Sequence, residues 1–372
     1  MKGELTMTQS RVRAVYMRGG TSRCLVFHER DLPPAGVERD YILLSALGSP
    51  DPYGRQLDGL GGGISSLSKA CIIGPTTHPG ADVDYTFAQV EVSKPQVDYT
   101  GNCGNCSSAV GPFAIEERLI QPVDGETLVR IHNTNTKKLI VARVPVAGSE
   151  PAVHGDFELP GVAGTGARIA LDFIEPGGAG TGRLLPTGKP RDVIDGIEAS
   201  LVDASIPMVF VRARDLGIAG TEMPQAVDAD KALSARLEKI RVAAAELMGI
   251  PGSAATPKVA VVTAPAEYTA LDGTRVTREA VDVVGRAISM ANCHRAFPLT
   301  SSMCLAVAAR IEGTLVHECS TAKPGADVRL GHPSGVLPLD AAVTRQGGDY
   351  MAERVTVYRT ARRLMEGYVR IP

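Results

Sequence analysis

Hydrophobic and polar positions alternate along most of the periodic stretches of the chain, which is the pattern of half-buried β-strands. These stretches are short and rich in β-branched residues, and they end at turn signals. The predicted strands are 13–16, 24–28, 70–73, 83–92, 128–132, 138–144, 207–211, 258–263, 314–317, 336–339 and 354–358. This amount of strand excludes a helical bundle.

Four other stretches have the spacing or composition of helices. Residues 40–47 and 230–249 are amphipathic, whereas 102–119 and 300–311 are apolar on nearly every side. A helix without a polar face must be enclosed by other elements. We therefore expect each of the two apolar helices to lie inside a curled sheet.

An internal repeat indicates two homologous halves. Residues 25–32, LVFHERDL, resemble residues 209–216, VFVRARDL, and one of the two apolar helices follows each copy at a broadly similar distance. The sequence thus predicts an α+β protein with a first half over 1–185 and a second half over 186–359. The C-terminal segment 360–372 is expected to return to the first half.

The size and charge of the chain limit the classes of partner. Of its 372 residues 44% are hydrophobic, which is typical of a globular protein with a substantial core. The net charge is −2 and no basic stripe stands out, so nucleic acid is not expected as a partner. No apolar run reaches the roughly 18 residues of a membrane span, and no signal-like stretch opens the sequence. We predict a cytoplasmic protein that does not bind membranes.

Cys103 lies at the mouth of the first apolar helix, where free N–H groups and partial positive charge bind carboxylates and lower the pKa of a thiol. This position favours a Cys103 that carries a proton or contacts substrate. Its CxxC spacing with Cys106 leaves three alternatives open: a redox pair, half of a zinc site, or an ordinary turn. No second CxxC or suitably spaced histidine pair completes a zinc site, and the odd number of seven cysteines argues against a disulfide scaffold.

Lys69 ends a run of glycines and hydroxyl residues, DGLGGGISSLSK at 58–69, which lacks the residue order of a phosphate loop. The apolar residues 70–73 follow it directly. Desolvation at the edge of a buried strand favours the neutral amine, which can act as a general base. The alternative is an ordinary surface lysine.

Four turns rich in hydrogen-bond donors are candidates for binding a small polycarboxylate without a metal ion. Taken singly, each is also typical of an ordinary turn or helix cap. Clusters of His, Asp or Glu at metal-ligand spacing are lacking in the sequence, so no metal and no cofactor are predicted. The candidate substrate-binding residues are Gly19, Gly20, Thr21 and Ser22; Ser65, Ser66 and Ser68; Gly104 and Asn105; and Thr300, Ser301 and Ser302.

Motifs from about residue 12 to the end resemble the PrpF family, which includes 2-methylaconitate cis-trans isomerases, 3-methylitaconate isomerases and 4-oxalomesaconate tautomerases. The motifs are YMRGGTS at 16–22, QLDGLGG at 56–62, SK at 68–69, DVDYTFAQV at 82–90, GNCGN at 101–105, VGPFAI at 110–115, LPTG at 185–188, GHPSG at 331–335 and RTARRLMEG at 359–367.

This resemblance implies a fold similar to diaminopimelate epimerase, with two pseudo-symmetric halves, each a β-barrel around a central helix, and the active site between them. Epimerases of that fold use one cysteine from each half. Cys103 matches the first, but the start of the second helix, Pro298–Ser301, offers no cysteine. The resemblance implies instead that Lys69 acts as acid and base.

The function expected from the resemblance is cofactor-independent isomerisation of an unsaturated di- or tricarboxylate by proton transfer, with 2-methylaconitate as the leading substrate. The alternatives are a 4-oxalomesaconate-type tautomerase, a 3-methylitaconate isomerase, and a non-catalytic binding protein, against which Lys69 and Cys103 together argue. The subfamily markers differ, because Tyr53-Gly54 resembles the methylaconitate isomerases and 131–136 resembles the methylitaconate isomerases. The small-molecule substrate is the expected partner, and a homodimer is the assembly left open.

Overall fold

The computed structural model of the chain describes residues 9–253, 256–289 and 292–372. The chain divides into two compact units. The first contains the residues up to Asp172 together with Tyr358–Pro372, and the second contains Phe173–Val357. Among the described residues, no helix combines the length and the apolar character that crossing a membrane requires.

Strands predominate in both units. The first unit holds β1 (Ser10–Gly19), β2 (Ser22–His28), β3 (Lys69–Pro75), β4 (Val83–Val90), β5 (Val97–Asp98), β6 (Gly125–Asn133), β7 (Lys138–Ala147), β8 (Glu150–Pro151), β9 (Phe157–Glu158), β10 (Thr165–Gly166), most of β11 (Ile169–Ile174) and β23 (Ala361–Ile371). The second holds β12 (Asp192–Ile194), β13 (Ile197–Asp203), β14 (Pro207–Arg212), β15 (Lys258–Thr263), β16 (Tyr268–Thr269), β17 (Arg275–Val276), β18 (Val283–Ser289), β19 (Asn292–Cys293), β20 (Val328–His332), β21 (Gly335–Gln346) and most of β22 (Asp349–Arg359).

The helices are few. They are α1 (Val37–Leu47), α2 (Gly104–Glu116), α3 (Pro224–Ala229), α4 (Lys231–Leu247), α5 (Leu299–Ala308) and α6 (Leu315–Cys319). Of these, α1, α2, α4 and α5 confirm the four helices predicted from the sequence, with ends displaced by a few residues.

In the first unit the sheet surrounds α2. Strand β1 is antiparallel to β2 and β23, β2 is parallel to β3, β3 is antiparallel to β4, β4 is parallel to β6, and β6 is antiparallel to β7. Helix α2 packs against all of these strands, and every residue from Cys106 to Ile115 is buried. The expectation that this apolar helix is enclosed is confirmed.

The second unit repeats this order of pairings. Strand β13 is antiparallel to β14, β14 is parallel to β15, β15 is antiparallel to β18, β18 is parallel to β20, and β20 is antiparallel to β21. Helix α5 is buried from Ser301 to Ala308. The repeated sequences form β2 and β14, and a 3-10 turn follows each of them, at Glu29–Asp31 and Ala213–Leu216. The predicted pair of pseudo-symmetric halves is confirmed.

Strand alternation decides which side chains face α2. Leu25 and Phe27 of β2 and Ala70 and Ile72 of β3 belong to a hydrophobic cluster that includes the buried face of α1. Because successive side chains of a strand point to opposite faces, Lys69 and its alternate neighbours lie on the other face, which α2 covers. A lysine is thereby directed toward the interior of the first unit.

The predicted strand at 314–317 is wrong. The segment is helix α6, and the Thr314 hydroxyl caps it by accepting a hydrogen bond from the N–H of His317 at 3.1 Å. A short apolar run does not distinguish strand from helix, and here the cap decides the outcome.

Candidate active site

Lys69, the first residue of β3, is only 8% exposed, so the alternative of a surface lysine is wrong. It lies opposite Gln89 in the antiparallel ladder, and its Nζ donates a hydrogen bond to Gln89 Oε1 at 2.5 Å. The same Nζ is 5.0 Å from the centre of the Phe87 ring, within the range of a cation–π contact. Lys69 is therefore held in place by neutral groups and has no carboxylate partner among the described residues.

The orientation of Gln89 follows from its own hydrogen bonds. Its Nε2 donates to the backbone carbonyls of Ser68 at 2.9 Å and Ser65 at 3.2 Å. With the amide nitrogen committed to carbonyl oxygens, the amide oxygen is the atom presented to Lys69. Gln89 thus fixes the position of the amine and links it to the 3-10 turn Ser65–Leu67.

Ser68 is fully buried, and its hydroxyl is engaged within the protein. It donates to the carbonyl of Val90 at 2.8 Å and accepts from Nε2 of the buried Gln56 at 2.7 Å. Gln56 also accepts from the N–H of Gly63 at 3.0 Å and so holds the glycine-rich loop. Ser65 is exposed and Ser66 partly buried, so of the three predicted serines these two are open to solvent.

Cys103 is the N-cap of α2 and is partly buried, and its Sγ accepts a hydrogen bond from the N–H of Cys106 at 3.5 Å. Contact with the thiol of Cys106 and burial raise the pKa of Cys103 well above its ordinary value, while the charge of Lys69 acts to lower it. The prediction of a lowered pKa is wrong, because the neighbouring thiol and burial outweigh the helix N-terminus. Cys103 is consequently a protonated thiol at neutral pH, and it lies near enough to Lys69 for the two groups to interact electrostatically.

Asn105 joins the β1–β2 turn to the first turn of α2. Its Nδ2 donates to Thr21 Oγ1 at 3.0 Å, and its Oδ1 accepts from Nε of Arg359 at 2.9 Å. The turn fits closely against this helix: a Cβ at Gly19 would lie 2.6 Å from the Asn105 carbonyl oxygen, and one at Gly20 would lie 2.4 Å from Asn105 Oδ1. The structure thereby brings two of the four predicted turns together.

Arg359 lies beside Asn105 and Cys103 and was not among the site residues that the sequence predicted. It is 6% exposed, and its Nη1 donates to the carbonyl of Tyr358 at 2.7 Å. Burial lowers its pKa to about 10, although nearby Cys103 acts to raise it. Within the described part of the chain Nη2 makes no hydrogen bond, so one edge of the guanidinium is available to a carboxylate. Arg359 is the first residue of the motif at 359–367, but its position along the sequence does not indicate that it lies near Cys103.

The closeness of the β1–β2 turn to α2 can be tested by substitution. Gly20 has φ +52°, in the left-handed region, and an alanine there would also displace Asn105 Oδ1. We expect Gly20→Ala to destabilise the protein by about 1–3 kcal/mol in chemical denaturation and to raise KM, because Asn105 moves. Gly101→Ala is the matched control, since a Cβ there meets nothing within 4 Å; an equal effect of both substitutions would contradict this role of Gly20.

The remaining predicted residues begin α5 in the second unit. Thr300 is partly buried, whereas Ser301 and Ser302 are fully buried. Ser302 Oγ donates to the carbonyl of Leu299 at 2.8 Å, and Ser301 Oγ has no hydrogen-bond partner among the described residues. Pro298 is the N-cap and supplies no side-chain hydrogen bond. Their contact with substrate stays a prediction.

All seven cysteines are free thiols, including the CxxC pair of Cys103 and Cys106. The one group of three potential metal ligands among the described residues consists of Cys24, Cys71 and Cys106, whose sulfur atoms lie within 4.8 Å of one another. Spacing along the sequence did not reveal this group, because two of its members come from strands far from the CxxC motif.

The chain is similar in sequence and in structure to known proteins. A family model described as PrpF protein matches residues 9–372. A 2-methyl-aconitate isomerase from Shewanella oneidensis is 40% identical over 100% of both chains, and a 3-methylitaconate isomerase from Eubacterium barkeri is 43% identical over 97% of both. The solved structure of a methylitaconate-delta-isomerase is similar with a TM-score of 0.92 and 41% identity over 98% of this chain and 96% of the other.

A more distant structure shares the fold alone. A hydroxyproline epimerase from Agrobacterium vitis gives a TM-score of 0.50 and 15% identity over 97% of this chain and 93% of the other. Together with the repeated halves, this likeness confirms the predicted α+β, epimerase-like fold class.

Proposed function

Since this chain belongs to the PrpF family, we propose that it is an isomerase that moves a proton on an unsaturated di- or tricarboxylate without a cofactor. The observation that carries the proposal is a buried lysine, fixed by a glutamine oxygen, beside a protonated thiol at a helix N-terminus. A base and an acid of this kind are what proton transfer at carbon requires.

In the proposed mechanism the amine of Lys69 removes a proton from the allylic carbon, which is conjugated through the double bond with a carboxylate. The electron pair delocalises into that carboxylate as a dienolate, and a proton is then returned at the same or the conjugated carbon. The thiol of Cys103 is either the group that returns it or a close contact of the substrate. The N–H groups that begin α2 stabilise the negative charge as it develops.

The carboxylates of the substrate need cations and N–H donors. Arg359 offers a free guanidinium edge beside Cys103, and Asn105 is positioned by both Arg359 and Thr21. We infer that this end of α2 receives one carboxylate. For Ser65, Ser66 and the hydroxyl groups that begin α5, contact with the other carboxylates is part of the same proposal.

The substrate is tested by supplying 2-methylaconitate, 3-methylitaconate and 4-oxalomesaconate separately and following each by proton NMR. We expect the protein to turn over 2-methylaconitate, the leading substrate, with a higher kcat/KM than either of the other two compounds. A preference for 3-methylitaconate would indicate a methylitaconate isomerase instead, and a preference for 4-oxalomesaconate would indicate a tautomerase. Binding without turnover or exchange of any of the three would contradict the proposed activity.

Activity is expected to survive dialysis against a strong chelator, because backbone N–H groups, hydroxyls and Arg359 are proposed to hold the carboxylates in place of a divalent ion. The measurement is the rate before and after dialysis, with trace metal content followed in parallel. Loss of turnover that a specific divalent ion restores would contradict this part of the mechanism.

We propose a cytoplasmic location, which the seven free thiols support because disulfides are rare in reducing compartments. The small-molecule substrate is the proposed partner, and a homodimer stays a prediction to be tested by light scattering.

A further inference from the structure

Three thiols meet in the interior of the first unit at a point that the proposed reaction does not use. Cys24, Cys71 and Cys106 are each 0% exposed, and their sulfur atoms all lie within 4.8 Å of one another. None of them forms a disulfide. Buried cysteines are common as small hydrophobic residues, but three sulfur atoms in one triangle also form a ligand set.

The triangle is a consequence of the fold. Strands β2 and β3 are parallel, with Val26 opposite Cys71, and both Cys24 and Cys71 occupy positions of these strands that face α2. Cys106 belongs to the first turn of α2 and completes the triangle from the helix side. The ligand atoms are therefore carried by three elements of regular structure, which hold their separations more rigidly than loops do.

We propose that Cys24, Cys71 and Cys106 bind one thiophilic monovalent cation of the copper(I) class. Thiolate ligands select such soft ions. Three sulfur atoms around one ion at a metal–sulfur distance of about 2.3 Å stand about 4 Å apart, so only a small contraction of the observed triangle is needed.

The number of ligands argues against zinc. Structural zinc sites are tetrahedral and need a fourth nitrogen, sulfur or carboxylate ligand. Among the described residues, no fourth ligand atom lies within 4.8 Å of all three sulfur atoms; the Tyr85 hydroxyl is 3.9 Å from the sulfur of Cys71, and Cys103, whose thiol contacts that of Cys106, is not part of the group. A trigonal three-sulfur site suits a d¹⁰ monovalent ion.

Charge and access are consistent with this site. Lys69 lies two residues before Cys71 on the same face of β3, so its charge offsets part of the negative charge of a thiolate complex. Cys103 is partly exposed, and its thiol contacts that of Cys106. An ion can thus be captured at Cys103 and passed to Cys106 by exchange of one sulfur ligand for another.

The test is titration of the reduced full chain with copper(I) under argon, in competition with a chromophoric copper(I) chelator. We expect one ion per chain and X-ray absorption with three sulfur neighbours. Cys24→Ala and Cys71→Ala should each weaken binding by about 100-fold or more, since even the loss of an outer partner of a metal ligand costs about 10- to 100-fold. Zinc(II) should be lost to a zinc chelator under the same conditions.

Cys304→Ala is the matched control, because Cys304 is equally buried in the equivalent helix α5, where its sulfur donates to the carbonyl of Val202, and it belongs to no group of potential metal ligands among the described residues. It should bind copper(I) as the unaltered protein does. Equal affinity in the Cys24 and Cys304 variants would overturn the proposal, as would a two-sulfur complex that depends on Cys103 but not on Cys71. If an alanine variant fails to fold, the three-sulfur count on the unaltered protein decides alone.

Discussion

Lys69→Met is expected to reduce kcat by about 10²-fold or more while the fold is retained, because a general base contributes that much to the rate. Methionine has a similar length and fits the apolar surroundings of Phe87, but it can neither accept a proton nor donate to Gln89. The effect should appear in kcat and leave KM nearly unchanged if Lys69 acts on the proton and not on the carboxylates. Steady-state kinetics, with circular dichroism for the fold, measure both.

Lys258→Met is the matched control for this substitution. Lys258 begins β15, the counterpart of β3, and the two parallel registers place it at the position that Lys69 has in the first unit. Burial lowers the pKa of Lys258, and among the described residues it makes no glutamine contact like that of Lys69. We expect this variant to retain most of its activity. A Lys69→Met enzyme that keeps more than about a tenth of the rate contradicts its assignment as the base.

Cys103→Ser is expected to lower kcat by about 10²-fold if the thiol returns the proton, because a serine hydroxyl is a far weaker acid. Serine is a favourable N-cap residue, so α2 should begin unchanged and the loss of activity should not arise from unfolding. In the unaltered protein the raised pKa keeps the thiol protonated, and alkylation of Cys103 by iodoacetamide at pH 7 should be slower than that of a free cysteine.

Cys106→Ala separates the roles of the two cysteines. It removes the thiol whose contact is the largest cause of the raised pKa of Cys103, so alkylation of Cys103 should become faster while turnover changes little. If bound substrate slows the alkylation of Cys103, this would show that the thiol lies in contact with the substrate. A stable disulfide between the two cysteines whose reduction switches activity would instead support the redox alternative.

The sequence predicts the elements that local pattern determines. The apolar stretches became the enclosed helices α2 and α5, and the repeat at β2 and β14 correctly indicated two halves with the same topology. Lys69 could be located because it ends a polar run and begins an apolar one, and strand alternation then directs it toward α2. In each case the controlling interactions are close along the chain.

The groups that complete the site depend on pairings between distant segments. Gln89 reaches Lys69 through the β3–β4 ladder, and Arg359 reaches Asn105 across 254 positions of sequence. The three-thiol group arises in the same way. The pKa of Cys103 was mispredicted because the local rule for helix N-termini contains neither the thiol of Cys106 nor the burial that the fold imposes.

The most direct test is proton exchange with solvent. The protein is incubated with 2-methylaconitate in deuterated water, and deuterium at the allylic carbon is followed by proton NMR in the unaltered enzyme and in Lys69→Met. Removal of that proton by an amine predicts deuterium in both product and recovered substrate for the unaltered enzyme, and none for the variant. Isomerisation without deuterium uptake, or equal uptake in both proteins, would contradict proton transfer at Lys69.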